Sequence, residues 1–255
     1  LDGFTIRGLV RSYGNRYYRK PIAVGPIGRK NPMTLKTWEY AQSLTDKPVK
    51  GMLTGPYTIA EWSFNEYYST FEEFVMEVAK VVHDEAMDLE RAGAKYISID
   101  EPAASTRPEE MELVAKSMAV VTKGLSAYTL THICYGDFDA VFDDLNSIPV
   151  DNLDMETANQ DYSLLELFRG HKSDKHLCLG VTDVHTHEIE SLDLVKAGIR
   201  KGLEIFTPEQ LFIGPDCGLK TRTTDESIAK LKVMVQAVNE IKAELGIAYP
   251  PAASI

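Results

Sequence analysis

Four side chains that can bind a soft metal ion follow apolar segments with the character of strands. His132 and Cys134 are two residues apart at the end of the segment 128–133, and residues i and i+2 of a strand point to the same face. Glu156 follows the next apolar segment, and Cys217 lies in a turn flanked by glycine and proline after the last one. One nitrogen, two sulfur donors and one oxygen suit a tetrahedral Zn²⁺ ion. The pattern therefore predicts a zinc site.

Each cysteine taken alone has a plainer explanation. Buried cysteine commonly packs as a small apolar residue, and this alternative holds for the His132–Cys134 pair and for Cys217 considered singly. Cys178 is flanked by Leu177 and Leu179, so we expect it in the core. Cys134 and Cys217, in contrast, both follow strands, and this shared location favours a metal site.

Two further polar groups stand after strands. Asp183 and His185 form a second i, i+2 pair, which would make His185 a general acid that is oriented by a carboxylate; the alternative is a surface histidine. In Asp100-Glu101-Pro102 the first carboxylate could bind an ammonium group, whereas capping and loop chemistry are the alternative, more so for Glu101.

The elements that must position these residues alternate between strands and helices. We predict six buried strands, which span Val49–Leu53, Tyr96–Ile99, Tyr128–Ile133, Leu153–Met155, Leu177–Val181 and Leu211–Ile213. Alternation with helices predicts a parallel α/β sheet. An open doubly wound sheet and a barrel both fit, but polar clusters directly after several strands favour a (β/α)₈ TIM barrel, whose active sites lie at that end. The chain would supply about six of the eight β/α units.

Capping signals and apolar periodicity place the helices. Apolar residues recur every three and four positions over Phe71–Ala92, and Thr70 with Glu73 forms a capping box before them. Thr106 with Glu109 predicts the start of another helix, and a last helix is expected from about residue 225 to 245. We expect residues 1–247 to be one catalytic TIM-barrel domain and the Pro- and Ala-rich residues 248–255 to be a tail.

Composition restricts the class of protein. The 255 residues include 27 Lys and Arg against 38 Asp and Glu, which gives a net charge of −11 and argues against nucleic acid or an anionic membrane surface as a partner. The apolar segments are too short to span a bilayer. Three cysteines do not suit a disulfide framework, so we expect a reducing, cytoplasmic location.

Five motifs carry a resemblance to a known family. They are Tyr40–Pro56, Ile99–Ala103, Thr131–Tyr135, Gly180–His185 and Pro215–Arg222. On these motifs the chain resembles the C-terminal catalytic barrel of cobalamin-independent methionine synthases, and in particular the short, single-barrel type. The similarity extends from residue 1 to about residue 245.

The resemblance implies a role for each candidate residue. It implies that His132, Cys134, Glu156 and Cys217 are zinc ligands. It also implies that Asp100 binds the amino group of homocysteine and that His185 donates a proton. Trp62, Arg16 and Tyr17 match the region that holds the methyl donor. The implied reaction transfers a methyl group to the thiol of homocysteine and yields methionine.

The chain departs from the family pattern in three respects. About two initial β/α units and the family's N-terminal half have no counterpart here, and Thr106 stands where the family has an acidic residue that contacts the pterin. We therefore expect the missing barrel units in an upstream segment or a complementing chain. The departures leave two donors open: 5-methyltetrahydrofolate or its polyglutamate, and a methylated corrinoid that a protein carries.

Two other functions fit the same residues. One is a corrinoid-dependent methyltransferase that acts on another thiol, such as coenzyme M, although the carboxylate of Asp100 favours an amino-acid thiol. The other is a non-catalytic, incomplete barrel that binds zinc.

Overall fold

A computed structural model describes residues 1–11, 17–134, 142–171 and 173–247. The strands are β1 (Asp2–Thr5), β2 (Val10–Arg11), β3 (Tyr17–Tyr18), β4 (Ile22–Gly28), β5 (Gly51–Thr54), β6 (Phe64–Asn65), β7 (Tyr96–Asp100), β8 (Tyr128–Ile133), β9 (Asn152–Met155), β10 (His176–Gly180) and β11 (Leu211–Gly214). The α-helices are α1 (Leu35–Gln42), α2 (Pro56–Glu61), α3 (Phe71–Arg91), α4 (Met111–Thr122), α5 (Phe142–Ser147), α6 (Leu165–Gly170), α7 (Leu192–Leu203) and α8 (Thr224–Glu244).

The chain divides into two compact units. The first comprises residues 1–131 and 147–150, and the second comprises residues 132–146 and 151–255. In the first unit β5, β7 and the residues of β8 up to Thr131 pair in parallel, with Gly51 opposite Ile97 and Tyr96 opposite Tyr128; the last two residues of β8 belong to the second unit. A smaller sheet in the same unit pairs β4 with β1 and β6.

Helix α3 supplies much of the core of the first unit. Its buried residues recur at helical spacing and include Phe74, Val78 and Leu89. Thr70 is the N-cap, as predicted, because it accepts a hydrogen bond from the backbone N–H of Glu73, but the reciprocal bond of the predicted capping box is made one residue earlier. Glu73 in turn accepts from the backbone N–H of Ser69.

The second unit contains three parallel strands, with β10 between β9 and β11. Leu177 lies opposite Leu153 on one side and Leu211 on the other. Cys178 is buried among these strands, as expected for a core residue. Helices α7 and α8 pack against each other in this unit. The six predicted strands are therefore confirmed, with boundaries that shift by one or two residues.

The prediction of a helix start at Thr106–Glu109 is wrong. The hydroxyl of Thr106 donates back to the carbonyl of Ala103, and short 3₁₀ turns occupy Ala104–Thr106 and Pro108–Glu110 before α4 begins. The reason is Pro108, which disfavours helical geometry at the residue before it; Arg107 indeed has φ −139° and ψ 77°.

The parallel strands and intervening helices confirm the α/β class. The single domain over residues 1–247 stays a prediction, and the predicted tail, 248–255, lies outside the described residues. No helix among the described residues is long and apolar enough to cross a membrane.

A buried carboxylate joins two strand ends in the first unit. Glu101 follows β7, is completely buried and accepts hydrogen bonds from the backbone N–H groups of Tyr57 and Thr58 at 3.0 and 2.7 Å. These groups open α2, which follows β5. A Cβ at Gly55 would overlap the Glu101 carboxylate, so this close approach requires glycine. The contact holds α2 against the end of β7.

We expect Glu101 to make folding stability depend on pH. Burial raises the pKa of Glu101 from 4.5 to about 7 in the folded protein, so the folded state retains a proton that the unfolded state loses. Stability should therefore fall as the pH rises from about 4.5 to 7, by up to about 3 kcal/mol. The variant Glu101→Gln should lose this dependence, as urea unfolding at pH 5 and pH 8 would measure.

The exposed residue Glu109 provides the control, since Glu109→Gln should keep the wild-type difference between the two pH values. An equal pH dependence in wild type and Glu101→Gln would contradict the expectation.

Candidate metal centre

Three predicted ligands meet at the carboxyl ends of strands in the second unit. His132 lies in β8, Cys134 follows that strand, and Cys217 follows β11. One donor atom from each lies within 4.8 Å of the other two. An imidazole and two thiols at this separation form a group that can hold a soft metal ion.

The two cysteines differ in their ionisation. The Cys134 thiol, and after it the nearby imidazole of His132, lower the pKa of Cys217 from its usual value. The same pairing, together with burial, raises the pKa of Cys134. The site therefore favours the thiolate at Cys217, which is the form of cysteine that binds metals.

Glu156, the fourth predicted ligand, directly follows β9. It is completely buried, and its charge contributes to the raised pKa of Cys134. Asn159 donates to Oε2 at 3.3 Å, whereas Oε1 accepts no hydrogen bond from the part of the chain that the structure describes. A buried carboxylate oxygen without a donor is costly, and a metal ion would satisfy it. The fourth residue therefore fits a metal centre.

Asp154 was not predicted from the sequence. Its Oδ1 lies 3.4 Å from Nδ1 of His132, where a carboxylate orients the imidazole and favours metal binding through Nε2. The signal was present in the sequence, because Asp154 in β9 stands two residues before Glu156, a spacing at which side chains of an extended segment point to the same side.

Asp216 was also missed. Its carboxylate is buried and accepts hydrogen bonds from the backbone N–H groups of Thr157, Ala158 and Asn159 at 2.9–3.0 Å. A Cβ at Gly180, the last residue of β10, would overlap this carboxylate. Because Asp216 directly precedes Cys217, these bonds hold the segment after Glu156 close to Cys217.

The catalytic-domain model of the cobalamin-independent synthases matches residues 2–240. The chain belongs to the cobalamin-independent methionine synthase family. The resemblance inferred from the motifs is thereby confirmed, and the protein is a methyltransferase of methionine biosynthesis.

Curated relatives agree with this family. A methionine synthase of Saccharolobus solfataricus is 41% identical over 247 residues, which are 96% of this chain and 74% of the relative. A methionine synthase of Sulfolobus acidocaldarius is 39% identical over 96% of this chain and 72% of its own length.

A solved structure of the family has the same fold. The B12-independent methionine synthase of Shewanella sp. W3-18-1, in complex with selenomethionine, matches with a TM-score of 0.85 and 26% identity over 97% of this chain and 78% of that one. The predicted TIM-barrel-like fold is thus confirmed.

In this family member, the Asp183–His185 pair forms a tight turn. Oδ1 of Asp183 accepts from the backbone N–H of His185 at 2.7 Å, so the observed bond fixes the backbone of the turn. The imidazole Nε2 lies 3.7 Å from Oε1 of Glu156. The geometry brings His185 to the predicted metal ligands, and its role as an acid stays a prediction.

His187, two residues further on, lies before the next helix rather than in it. Helix α7 begins at Leu192, with Ser191 as its N-cap. His187 instead contacts Glu226, with its Nδ1 at 2.8 Å from the carboxylate.

The other predicted binding residues belong to the first unit. Asp100 ends β7, is partly buried, and accepts a hydrogen bond from the hydroxyl of Ser98 at 2.5 Å. Trp62 follows α2 and is 47% exposed, and Tyr17 is 63% exposed. Arg16 lies outside the described residues.

We expect Asp216→Ala to destabilise the second unit. Three backbone N–H groups would lose their acceptor, and each buried donor left unsatisfied costs about 1–3 kcal/mol. Because water can enter the space left by the side chain, a total loss of about 2–4 kcal/mol is the expected result of urea unfolding.

Asp193→Ala is the matched control, because Asp193 lies exposed in the first turn of α7 and should contribute about 1 kcal/mol or less. Equal losses in the two variants would show that the Asp216 contacts do not hold the segment.

Proposed function

We propose that this protein methylates the thiol of homocysteine at a zinc ion held by His132, Cys134, Glu156 and Cys217. The observation that carries the proposal is the convergence of one imidazole and two cysteine sulfurs within 4.8 Å. The buried Oε1 of Glu156 supports it further.

Zinc fits the donor set better than other common metals. Two thiolates and an imidazole select against the hard cations Mg²⁺ and Ca²⁺, and they suit a tetrahedral site. When bound, zinc would take the sulfur of homocysteine as a ligand, and this keeps the thiol deprotonated at neutral pH.

Glu156 is the residue that we expect to make room for the substrate. A carboxylate is the hardest of the four donors and so the most readily exchanged on a soft ion. Asn159 contacts its Oε2, and the imidazole of His185 lies on the side of Oε1. The amide of Asn159 and the imidazole of His185 can each form a hydrogen bond with the carboxylate after it has left the metal ion.

Asp100 is proposed to bind the substrate's amino group. Its side chain is a carboxylate, which pairs with an ammonium group through charge-assisted hydrogen bonds, and it accepts a hydrogen bond from the hydroxyl of Ser98. The similar Shewanella protein was solved with selenomethionine, an amino acid with the same main-chain groups as methionine. This supports an amino-acid thiol, rather than a thiol such as coenzyme M, as the acceptor.

His185 bears on the identity of the methyl donor. Its imidazole is 42% exposed and can deliver a proton from solvent. Methyltetrahydrofolate needs a proton at its leaving nitrogen, whereas a methylated corrinoid does not. We therefore propose methyltetrahydrofolate as the donor, with Trp62, Tyr17 and Arg16 as its contacts. Parallel assays with the two donors test this choice, and activity with the corrinoid alone would overturn it.

Zinc content tests the ligand set. Wild type should bind one zinc ion per chain, and Cys217→Ser should lose most of it because a hydroxyl is a far weaker ligand than a thiolate. Metal analysis after dialysis measures this. Cys178→Ser is the matched control and should retain zinc, since Cys178 lies within β10. Full occupancy in Cys217→Ser would remove Cys217 from the site.

Homocysteine binding tests Asp100. The variant Asp100→Asn keeps the shape and removes the charge, so a charge-assisted hydrogen bond of about 1.5–3 kcal/mol is lost. Homocysteine should then bind about 10- to 150-fold more weakly in calorimetric titrations, with zinc content unchanged.

A mercaptocarboxylate without an amino group is the control ligand and should bind wild type and Asp100→Asn equally. Unchanged affinity for homocysteine in Asp100→Asn would place the amino-acid site elsewhere.

A further inference from the structure

Residues 181–190, which connect β10 to α7, contain the candidate acid His185 and no helix or strand. We call them the His185 segment. Its first two residues are held by backbone hydrogen bonds at 2.9 Å, from the N–H of Val181 to the carbonyl of Gly214 and from the N–H of Asp216 to the carbonyl of Thr182. From Asp183 onward, contacts with side chains hold the segment instead, and these contacts determine where His185 lies.

The principal anchor is a buried lysine on α8. The side chain of Lys230 has no exposed surface. Its ammonium group donates to the backbone carbonyl of Glu188 and to both carboxylate oxygens of Glu190, the latter at 3.0 Å. The three N–H donors of the ammonium group thus all bind the His185 segment.

A continuous series of hydrogen bonds leads from this anchor to the imidazole. Oε1 of Glu190 also accepts from the backbone N–H of Asp183 at 2.9 Å. Asp183 in turn accepts from the backbone N–H of His185 at 2.7 Å. The imidazole of His185 then lies 3.7 Å from Oε1 of Glu156.

General stabilisation is a poor explanation for this pair. A buried ion pair is often no more stabilising than apolar residues of similar volume, because both charges lose their hydration. Lys196 shows the ordinary alternative, since it joins α7 to Glu240 and Glu244 of α8 near the surface. Lys230 differs because its side chain is fully buried and because its hydrogen bonds to described residues go to the His185 segment.

We propose that Lys230 and Glu190 are positioning residues that hold His185 in place against Glu156. The inference rests on the proposed function, in which His185 takes part in methyl transfer. It assigns a role to two residues that are not among the proposed metal ligands. Within the part of the chain that the structure describes, the hydrogen-bond partners of Lys230 and Glu190 belong to the His185 segment or to the pair itself.

The first test replaces the anchor. Lys230→Met keeps the length of the side chain and removes its donors. We expect kcat to fall about 10- to 100-fold, because small displacements of a reacting group have effects of that size. The KM for homocysteine and the zinc content should stay unchanged. Hydrogen exchange of residues 181–190 should become faster, and this readout is independent of activity.

Lys196→Met is the matched control, because it makes the same substitution in an ion pair that does not contact the His185 segment. It should leave kcat and exchange of residues 181–190 at wild-type values. Lys230→Met leaves Glu190 as an uncompensated charge and could unfold the unit. The double variant Lys230→Met/Glu190→Leu removes both charges and should fold, yet it should show the same loss in kcat.

A double-mutant cycle separates positioning from a merely structural role. In the background of His185→Gln, adding Lys230→Met should lower kcat no further, because the group that it positions is gone. A further loss of tenfold or more, or wild-type kcat in the folded double variant Lys230→Met/Glu190→Leu, would overturn the proposal. Wild-type kcat in His185→Gln alone would instead refute the role of His185 in the proposed function, and the positioning role with it.

Discussion

Buried carboxylates hold the strand ends of this protein by accepting hydrogen bonds from backbone N–H groups of a neighbouring segment. Glu101 does so in the first unit for the start of α2, and Asp216 does so in the second unit for the segment after Glu156. Both approach a glycine that admits no side chain, Gly55 and Gly180 respectively. A buried carboxylate is costly without hydrogen-bond donors, so neither Glu101 nor Asp216 can move far from the backbone N–H groups that it binds. The loops at these strand ends are therefore held in place, and they include those that carry the candidate site.

The candidate metal centre depends on this rigidity. Its ligands come from different strand ends, so they can converge on one ion only if those ends keep their relative positions. Asp154 adds orientation for the ring of His132, and Asn159 does the same for Glu156. Metal affinity and reactivity depend on such supporting contacts nearly as much as on the ligands themselves. Among the described residues, Oε1 of Glu156 is a buried carboxylate oxygen without a hydrogen bond, and it is the point at which we propose that a metal ion binds.

The sequence alone was sufficient for features that rest on local spacing. The i, i+2 pair His132 and Cys134 and the helical periodicity of α3 both follow from the geometry of one element. Features that need contacts between distant segments could not be predicted. In the sequence, Lys230 does not differ from other lysines of a helix. Its burial against Glu190, 40 residues earlier in the chain, is visible only in the fold. The wrong prediction of a helix start at Thr106 has a local cause. The spacing of Thr106 and Glu109 resembles a capping box, but Pro108 disfavours helical geometry at Arg107.

If the four side chains bind one zinc ion and homocysteine adds its sulfur to it, the number of sulfur ligands must rise when the substrate binds. Zinc K-edge absorption of the zinc-loaded protein, with and without homocysteine, counts these ligands. We expect two sulfur and two nitrogen or oxygen ligands without substrate, and three sulfur ligands with it, because the substrate sulfur would take the place of Glu156. A sulfur count that stays at two when homocysteine is bound would rule out this mode of binding.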